Sequence, residues 1–146
     1  MNQDTLCIRK FSPAELGWVN AQYASINFLP SSADDYIAVA ARDGTLLGLG
    51  RLVQITETIG ELGGMYVLPE YRGQQLANKI VTHLMANSPY QTLFCIPFAH
   101  LETFYCGFGF AKVDPGAQVP AAVSKKFGWC QQQYNTSVSL LVWQQM

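Results

Sequence analysis

Charge is scarce in this chain. Of 146 residues only 13% are Asp, Glu, Lys or Arg, and the formal net charge is −1. The nine Lys and Arg residues are scattered, with Lys125-Lys126 the only adjacent pair. That balance offers no electrostatic grip for a nucleic acid or an anionic membrane surface. The adjacent lysines are expected on a solvated helix face. Long apolar runs are also missing. No stretch approaches the roughly 18 residues that a spanning helix needs, so no membrane association is expected. The start, MNQDTLCIRKFSP, lacks the basic start and apolar run of a secretion signal. Only four cysteines occur, Cys7, Cys95, Cys106 and Cys130, with no C-x-x-C pair. They are read as buried reduced thiols in a cytoplasmic protein. The two histidines, His83 and His100, have no ligand spacing with them, and no metal is expected. What remains is a chain that is 49% apolar, enough for one domain with its own core.

Periodicity and turn signals give an alternating order of elements. A short strand is expected at 5–9. Ser12-Pro13-Ala14-Glu15 marks a helix start, with Ser12 as cap and Pro13 at the first helical position, and the helix should run to about Ile26. The loop 27–34 carries Phe28 and Leu29, two apolar residues that need cover or a ligand. Asp43-Gly44 between apolar runs predicts a hairpin of strands 36–41 and 46–55. A third strand, 58–68, contains Gly63-Gly64, which points to a bulge or a close backbone approach. Leu76, Ile80 and Leu84, with Ala77 and Val81 beside them, predict a helix over 73–87. A strand at 92–96, a brief helix at 101–106 closed by glycine, a strand at 110–113, a helix at 121–132 and a last strand at 136–143 complete the chain. No repeat or linker divides it. The expectation is one α/β domain, residues 1–146, with a mixed, mostly antiparallel sheet.

The segment Val67-Leu68-Pro69-Glu70-Tyr71-Arg72-Gly73-Gln74-Gln75-Leu76-Ala77 joins the third strand to the best helix. A helix start exposes N–H groups that no preceding carbonyl can use. The helix dipole reinforces their partial positive charge, and an anion, above all a phosphate, fits there. Gly73 lets the backbone turn and approach a ligand, and Ala77 leaves room for one. Arg72 either adds a formal charge beside the site or braces the loop. Taken alone, the six residues Arg72 to Ala77 fit an ordinary strand-to-helix turn equally well.

The order strand, V-x-P-E-Y-R-G, helix resembles the central motif of the GNAT superfamily, the Gcn5-related N-acetyltransferases. That motif runs Arg or Gln, two free residues, Gly, one free residue, then Gly or Ala. Arg72, Gln75 and Ala77 occupy those positions, so the middle glycine is replaced by Gln75. The backbone donors survive this change if Gln75 has a helical backbone. Downstream, Phe104-Tyr105-Cys106-Gly107-Phe108-Gly109-Phe110 resembles the family's F-Y-x-x-x-G-F segment at the expected separation. The resemblance is motif-specific from about Glu61 to Phe110 and covers most of the chain by element order.

The resemblance implies a twisted sheet flanked by helices and splayed into a V-shaped cofactor slot. It implies acetyl transfer from acetyl-coenzyme A to an amine, with no metal. The pyrophosphate would rest on the amides of Gly73, Gln74, Gln75, Leu76 and Ala77. The pantetheine arm would pair with the backbone of Met65, Tyr66 and Val67, and a bulge at Gly63-Gly64 would open the slot. The N–H of Val67 would donate to the thioester oxygen. Tyr105 stands where the family often places its general acid. Glu61 stands where several members carry a general base; burial in an apolar strand would raise its pKa toward neutrality. Glu57 is a weaker alternative, and His100 is read as a loop or cap residue.

Acceptor recognition in the family usually comes from the first helix with its loop and from the segment before the last strand. Here these carry Tyr23, Phe28, Phe127, Trp129 and Tyr134, with Asp34 and Asp35 nearby. Aromatic faces and a carboxylate would suit a cationic amine; capping the core is the alternative role. The acceptor would be the amine of a small molecule or a peptide. Many members of the family pair as dimers, and the apolar composition allows a homodimer. Two rival readings are a non-catalytic sensor of acyl-coenzyme A and an interaction module that keeps only the fold.

Overall fold

A computed structural model describes residues 5–145. The strands are β1 (Leu6–Lys10), β2 (Tyr36–Arg42), β3 (Thr45–Gln54), β4 (Ile59–Val67), β5 (Thr92–Cys95), β6 (Ala111–Lys112) and β7 (Leu141–Gln144). The helices are α1 (Leu16–Ser25), α2 (Leu76–Ala86), α3 (Glu102–Cys106) and α4 (Ala121–Gln133). The sheet order is β1-β2-β3-β4-β5-β7-β6. It is mixed and mostly antiparallel, as expected. The β4–β5 pair is parallel, with Ile59, Gly60 and Glu61 opposite Thr92, Leu93 and Phe94. Parallel neighbours need a crossover connection, and α2 lies in it.

The chain forms two compact units. One holds residues up to Leu52 with Gly64–Ser88, the other Val53–Gly63 with the residues from Pro89 onward. β4 contributes to both.

In the first unit, Asp43 (φ 51°) and Gly44 (φ 82°) both take positive φ, the backbone of the tight hairpin turn that Asp-Gly predicts. β2 and β3 pair from Tyr36–Leu52 to Arg42–Thr45, with a register shift between Ala40 and Ala41. Phe11, Val19, Tyr23, Ile37, Val39 and Leu49 form a buried cluster, and Phe28 and Tyr66 pack against it. Arg9 holds Glu15 through two hydrogen bonds of 3.0 and 2.8 Å. The first helix begins as a 3₁₀ turn, Pro13–Glu15, because the Glu15 N–H reaches back only three residues, to Ser12 O. Glu15 Oε1 accepts from the Ser12 N–H at 2.8 Å, a bond of the capping-box type.

α2 starts at Leu76, not at residue 73. Gly73 (φ 84°) and Gln75 (φ 62°) both lie in the left-handed region, and a right-handed helix cannot include them. Its apolar stripe is as expected: Leu76, Ile80, Val81 and Leu84 are buried.

In the second unit the last strand is shorter than the sequence pattern predicts. Leu141–Gln144 pairs with β5, but residues 136–140 run beside 97–99 without a regular ladder. Their contacts are an isolated Phe98–Val138 bridge and two bonds, Ala99 N–H to Ser137 O and Ser139 N–H to Pro97 O, both 2.8 Å. Pro97 has no N–H to donate, which interrupts the ladder there. The cysteines also depart from expectation. All four are free; Cys95 and Cys130 are buried, whereas Cys7 and Cys106 are exposed. Cys7 lies on the outward alternation of β1.

The expected irregularity in β4 falls on Gly64, whose φ is +61°. A Cβ there would lie 2.5 Å from Tyr23 Oη and 2.9 Å from Arg51 Nε. Gly64→Ala should therefore combine left-handed strain with overpacking and destabilise the fold by about 2–4 kcal/mol, measured as a lower urea midpoint at unchanged m-value.

Candidate active site

The loop between β4 and α2 is built by its backbone. Pro69–Tyr71 forms a 3₁₀ turn, after which the left-handed residues Gly73 and Gln75 rotate successive peptides. The N–H groups of Gly73, Gln74, Gln75, Leu76 and Ala77 meet no protein acceptor among the described residues; the Lys79 N–H is the one that reaches Gln75 O, at 3.2 Å. A Cβ on Gly73 would meet nothing within 4 Å, so the loop surface is open. Gln75 caps α2 with φ 62° and ψ 27°. The expected helical backbone at Gln75 is thus replaced by a left-handed one, the conformation that a glycine would adopt more cheaply.

Of the two roles open to Arg72, the structure gives bracing. Its Nε donates to Val67 O at 3.0 Å, and its guanidinium lies 5.7 Å from the Tyr66 ring centroid. The cation that sequence reading missed is Arg42, whose Nη1 donates to Gln74 Oε1 at 2.9 Å. Along β4, the Leu68 N–H donates to Leu47 O. Strand alternation then turns the N–H and C=O of Val67 away from β3.

Tyr23 and Phe28 stack with centroids 6.1 Å apart. Tyr23 is fully buried, and its hydroxyl donates to Gly64 O at 2.8 Å. Phe28 packs on the same cluster, while Leu29 remains 40% exposed. Asp35 is occupied: Oδ2 accepts from Ser31 Oγ at 2.7 Å and from the Ser32 N–H at 3.1 Å. Arg51, unremarked in the sequence reading, is only 4% exposed. Its Nη1 donates to Ser31 Oγ and its Nη2 to Leu29 O, each at 3.0 Å, and it lies 4.3 Å over the Tyr23 ring. A signal was available, since Leu47, Leu49 and Arg51 share one face of β3 at period two.

In the second unit, Glu61 is 5% exposed. It is not isolated in apolar surroundings, as the sequence implied; Lys126 Nζ lies 2.7 Å from its Oε2. The Lys126 side chain is 24% exposed, so it is not on a solvated face. Tyr105 is buried in α3, with Phe104 and Phe110 edge-on to its ring. Burial pushes its phenol well above the usual 10.0, so it holds its proton at neutral pH. Burial likewise raises the Cys95 thiol well above 9.0, and the Glu61 carboxylate adds to that shift. Phe98 stacks on His100 with centroids 6.2 Å apart and meets Tyr134 edge-on, and Tyr134 meets Trp129 in the same way. His83 Nε2 bonds Tyr36 Oη at 2.9 Å. Glu57 lies exposed in the bend between β3 and β4. Among the described residues no three His, Cys, Asp or Glu side chains gather to hold a metal, and no helix is long and apolar enough to cross a membrane.

A mixed sheet with an amide-rich turn after its fourth strand is an α/β fold with an open place for an anion. The model of the Acetyltransferase (GNAT) family matches residues 7–89, more than half of the chain, and the chain belongs to that family. No curated protein sequence matches it significantly. Among solved structures it is similar to Rv2747 from Mycobacterium tuberculosis, in complex with CoA and NLQ (TM-score 0.76, 14% identity, 96% of this chain and 99% of that one). It is similar to N-acetylglutamate synthase from Neisseria gonorrhoeae with coenzyme A and L-arginine (0.71, 16%, 96% of this chain, 33% of that one). A GNAT family acetyltransferase from Elizabethkingia anophelis with acetyl-CoA bound aligns at 0.65 and 12%, over 97% and 99% of the two chains.

Two measurements check this local picture. Gln75→Gly should relieve about 1–2 kcal/mol of left-handed strain and give back part of it through a freer unfolded chain. A net gain of about 0.5–1 kcal/mol by urea denaturation is expected. Tyr23, Tyr105 and Cys95 all keep their protons longer in the folded chain, chiefly through burial. Their stabilisation is therefore complete below the ordinary values of 9.0 and 10.0 and is lost as pH rises past them. Stability should fall from about pH 9 upward, by as much as about 1.4 kcal/mol per pH unit for each group, and Tyr105→Phe should make that fall shallower.

Proposed function

We propose that residues 1–146 act as one acetyltransferase domain that moves an acetyl group from acetyl-coenzyme A to a primary amine of a small molecule or peptide. The observation that carries this reading is the row of five backbone donors at Gly73–Ala77 with no protein acceptor, in a chain of this family. A pyrophosphate satisfies such donors with little reorganisation. Gly73 leaves the approach open. Arg72 holds the strand end in place, and Arg42 orients Gln74. The pantetheine arm is assigned to the half-buried segment Met65, Tyr66 and Val67, where the Val67 N–H faces away from β3 and the Val67 carbonyl is held by Arg72.

Acetyl-coenzyme A, when bound, supplies the acyl group as a thioester. The Val67 N–H, turned away from β3, is the assigned donor to the carbonyl oxygen. Glu61 is the assigned base: its Oε1 carries no protein hydrogen bond among the described residues. It would take the proton that an amine must lose to attack. Tyr105 Oη, kept protonated by burial, would deliver a proton to the departing sulfur. On the acceptor side, Phe28 offers an aromatic face, and Tyr23 acts beneath it by holding β4 at Gly64. The similarity to N-acetylglutamate synthase, whose structure holds L-arginine, makes amino acids the first acceptors to try.

The test is release of coenzyme A thiol from acetyl-coenzyme A against L-glutamate, L-glutamine, spermidine and a lysine-containing peptide. Amine-dependent release is expected, with an acetylated product by mass. Coenzyme binding without release from any amine would favour a sensor, and no binding a scaffold. Tyr105→Phe should lower kcat by about 100-fold or more, in the range of a lost acid, with the affinity for coenzyme A retained; an unchanged kcat across pH removes it from the mechanism.

A further inference from the structure

On α4, Val123, Lys126 and Cys130 follow one another at spacings of three and four, so one helix face carries all three. Val123 and Cys130 are buried, which turns that face inward and brings Lys126 with it. The ammonium meets a carboxylate that is almost wholly buried, at 2.7 Å. Leaving such a carboxylate ionised and unpaired would be costly. The other titratable groups around the pair are the thiols of Cys95 on β5 and Cys130 on α4, each of which senses both charges. Tyr105 on α3 adjoins Cys95 in turn. All three are neutral near pH 7. Lys126 is thus the one cation on Glu61 among the described residues.

We infer that Lys126 is the positioning residue of the base: it pairs with Glu61 and ties down Oε2, so that Oε1 is presented as the proton acceptor. This rests on the assignment of Glu61 as base. No covalent step is involved; the proton passes from the amine to Oε1, and Lys126 keeps its own. A plain packing role would leave the ionisation of Glu61 unaffected when Lys126 is replaced. A positioning role would not.

The experiment is a double-mutant cycle in the full chain, read with whichever of L-glutamate, L-glutamine, spermidine or the lysine-containing peptide releases thiol fastest. Lys126→Met should lower kcat by about 10–100-fold, a part of what a general base supplies, with the KM for acetyl-coenzyme A unchanged. It should also move the acidic limb of the kcat–pH profile upward by about one unit or more, because a carboxylate loses its counter-charge. Lys126→Arg should hold the limb in place. In a Glu61→Gln background, Lys126→Met should have no further effect, since both act through one group. An equal loss in both backgrounds, or a limb that stays put in Lys126→Met, overturns the inference while leaving an impaired Glu61→Gln as support for the base. A silent Glu61→Gln overturns the base and the inference together. If Lys126→Met fails to bind coenzyme A by calorimetry, Lys126→Gln replaces it, with the same limb as readout and the same outcomes.

Discussion

The open amides of the first unit depend on two left-handed residues. Gly73 and Gln75 keep the backbone out of the helix until Leu76, and that delay leaves five consecutive N–H groups without carbonyl partners. Had residues 73–75 been helical, the first turn would have begun earlier and used different donors. For Gln75 the conformation is not free; a side chain there costs about 1–2 kcal/mol. The fold bears that cost because both flanks are fixed. Leu76, Ile80, Val81 and Leu84 bury the helix that follows, and Arg42 and Arg72 hold the turn from Gln74 and Val67. Strain kept where structure on both sides dictates it is the pattern of a binding loop.

Each unit also carries one charge inside. In the first it is Arg51, which spends two nitrogens on Ser31 and Leu29 and lies over Tyr23, while its Nε has no partner. Asp35 compensates through the Ser31 hydroxyl rather than by direct contact. This network ties the loop after α1 to β3 and β4, with Gly64 supplying the space. In the second unit the charge is Glu61, met directly by Lys126. The contrast matters. Arg51 is enclosed by neutral acceptors and suits a strut. Glu61 keeps one oxygen uncommitted, which a proton acceptor requires and a strut does not.

The element order could be read from the sequence because it rests on local signals. Asp43-Gly44 fixed the hairpin, the spacing of Leu76, Ile80 and Leu84 fixed α2, and Gly63-Gly64 marked the irregularity in β4. What escaped was set by tertiary context. The sign of φ at Gln75 is decided by the loop, not by the residue's own preference. The shortened β7 follows from Pro97, some forty positions earlier, which has no N–H to offer. Lys126 and Glu61 are separated by 65 residues, and nothing local in Lys125-Lys126 announces a buried partner, although the spacing to Val123 and Cys130 places Lys126 on the inward face. Tyr23 fits an acceptor site by its sequence position, but it is buried and its hydroxyl donates to Gly64 O, 41 residues away.

The balance between enzyme and sensor turns on what a binding loop alone would require. A sensor of acyl-coenzyme A needs the amides of Gly73–Ala77 and nothing acidic or basic beyond them. It has no use for a phenol whose proton is secured by burial, or for a carboxylate drawn into an apolar strand and then supplied with a counter-ion from another helix. Burying an ion pair is seldom a gain in stability; an apolar pair of similar size commonly does as well. The Glu61–Lys126 pair therefore has weak grounds as scaffolding, which favours the proposed role of Glu61 as base. The same reasoning applies to Tyr105, where Phe would pack as well among Phe104 and Phe110 without a hydroxyl to accommodate. Two polar groups drawn into one small unit, a phenol kept protonated by burial and a carboxylate with one oxygen uncommitted, weigh on the side of chemistry.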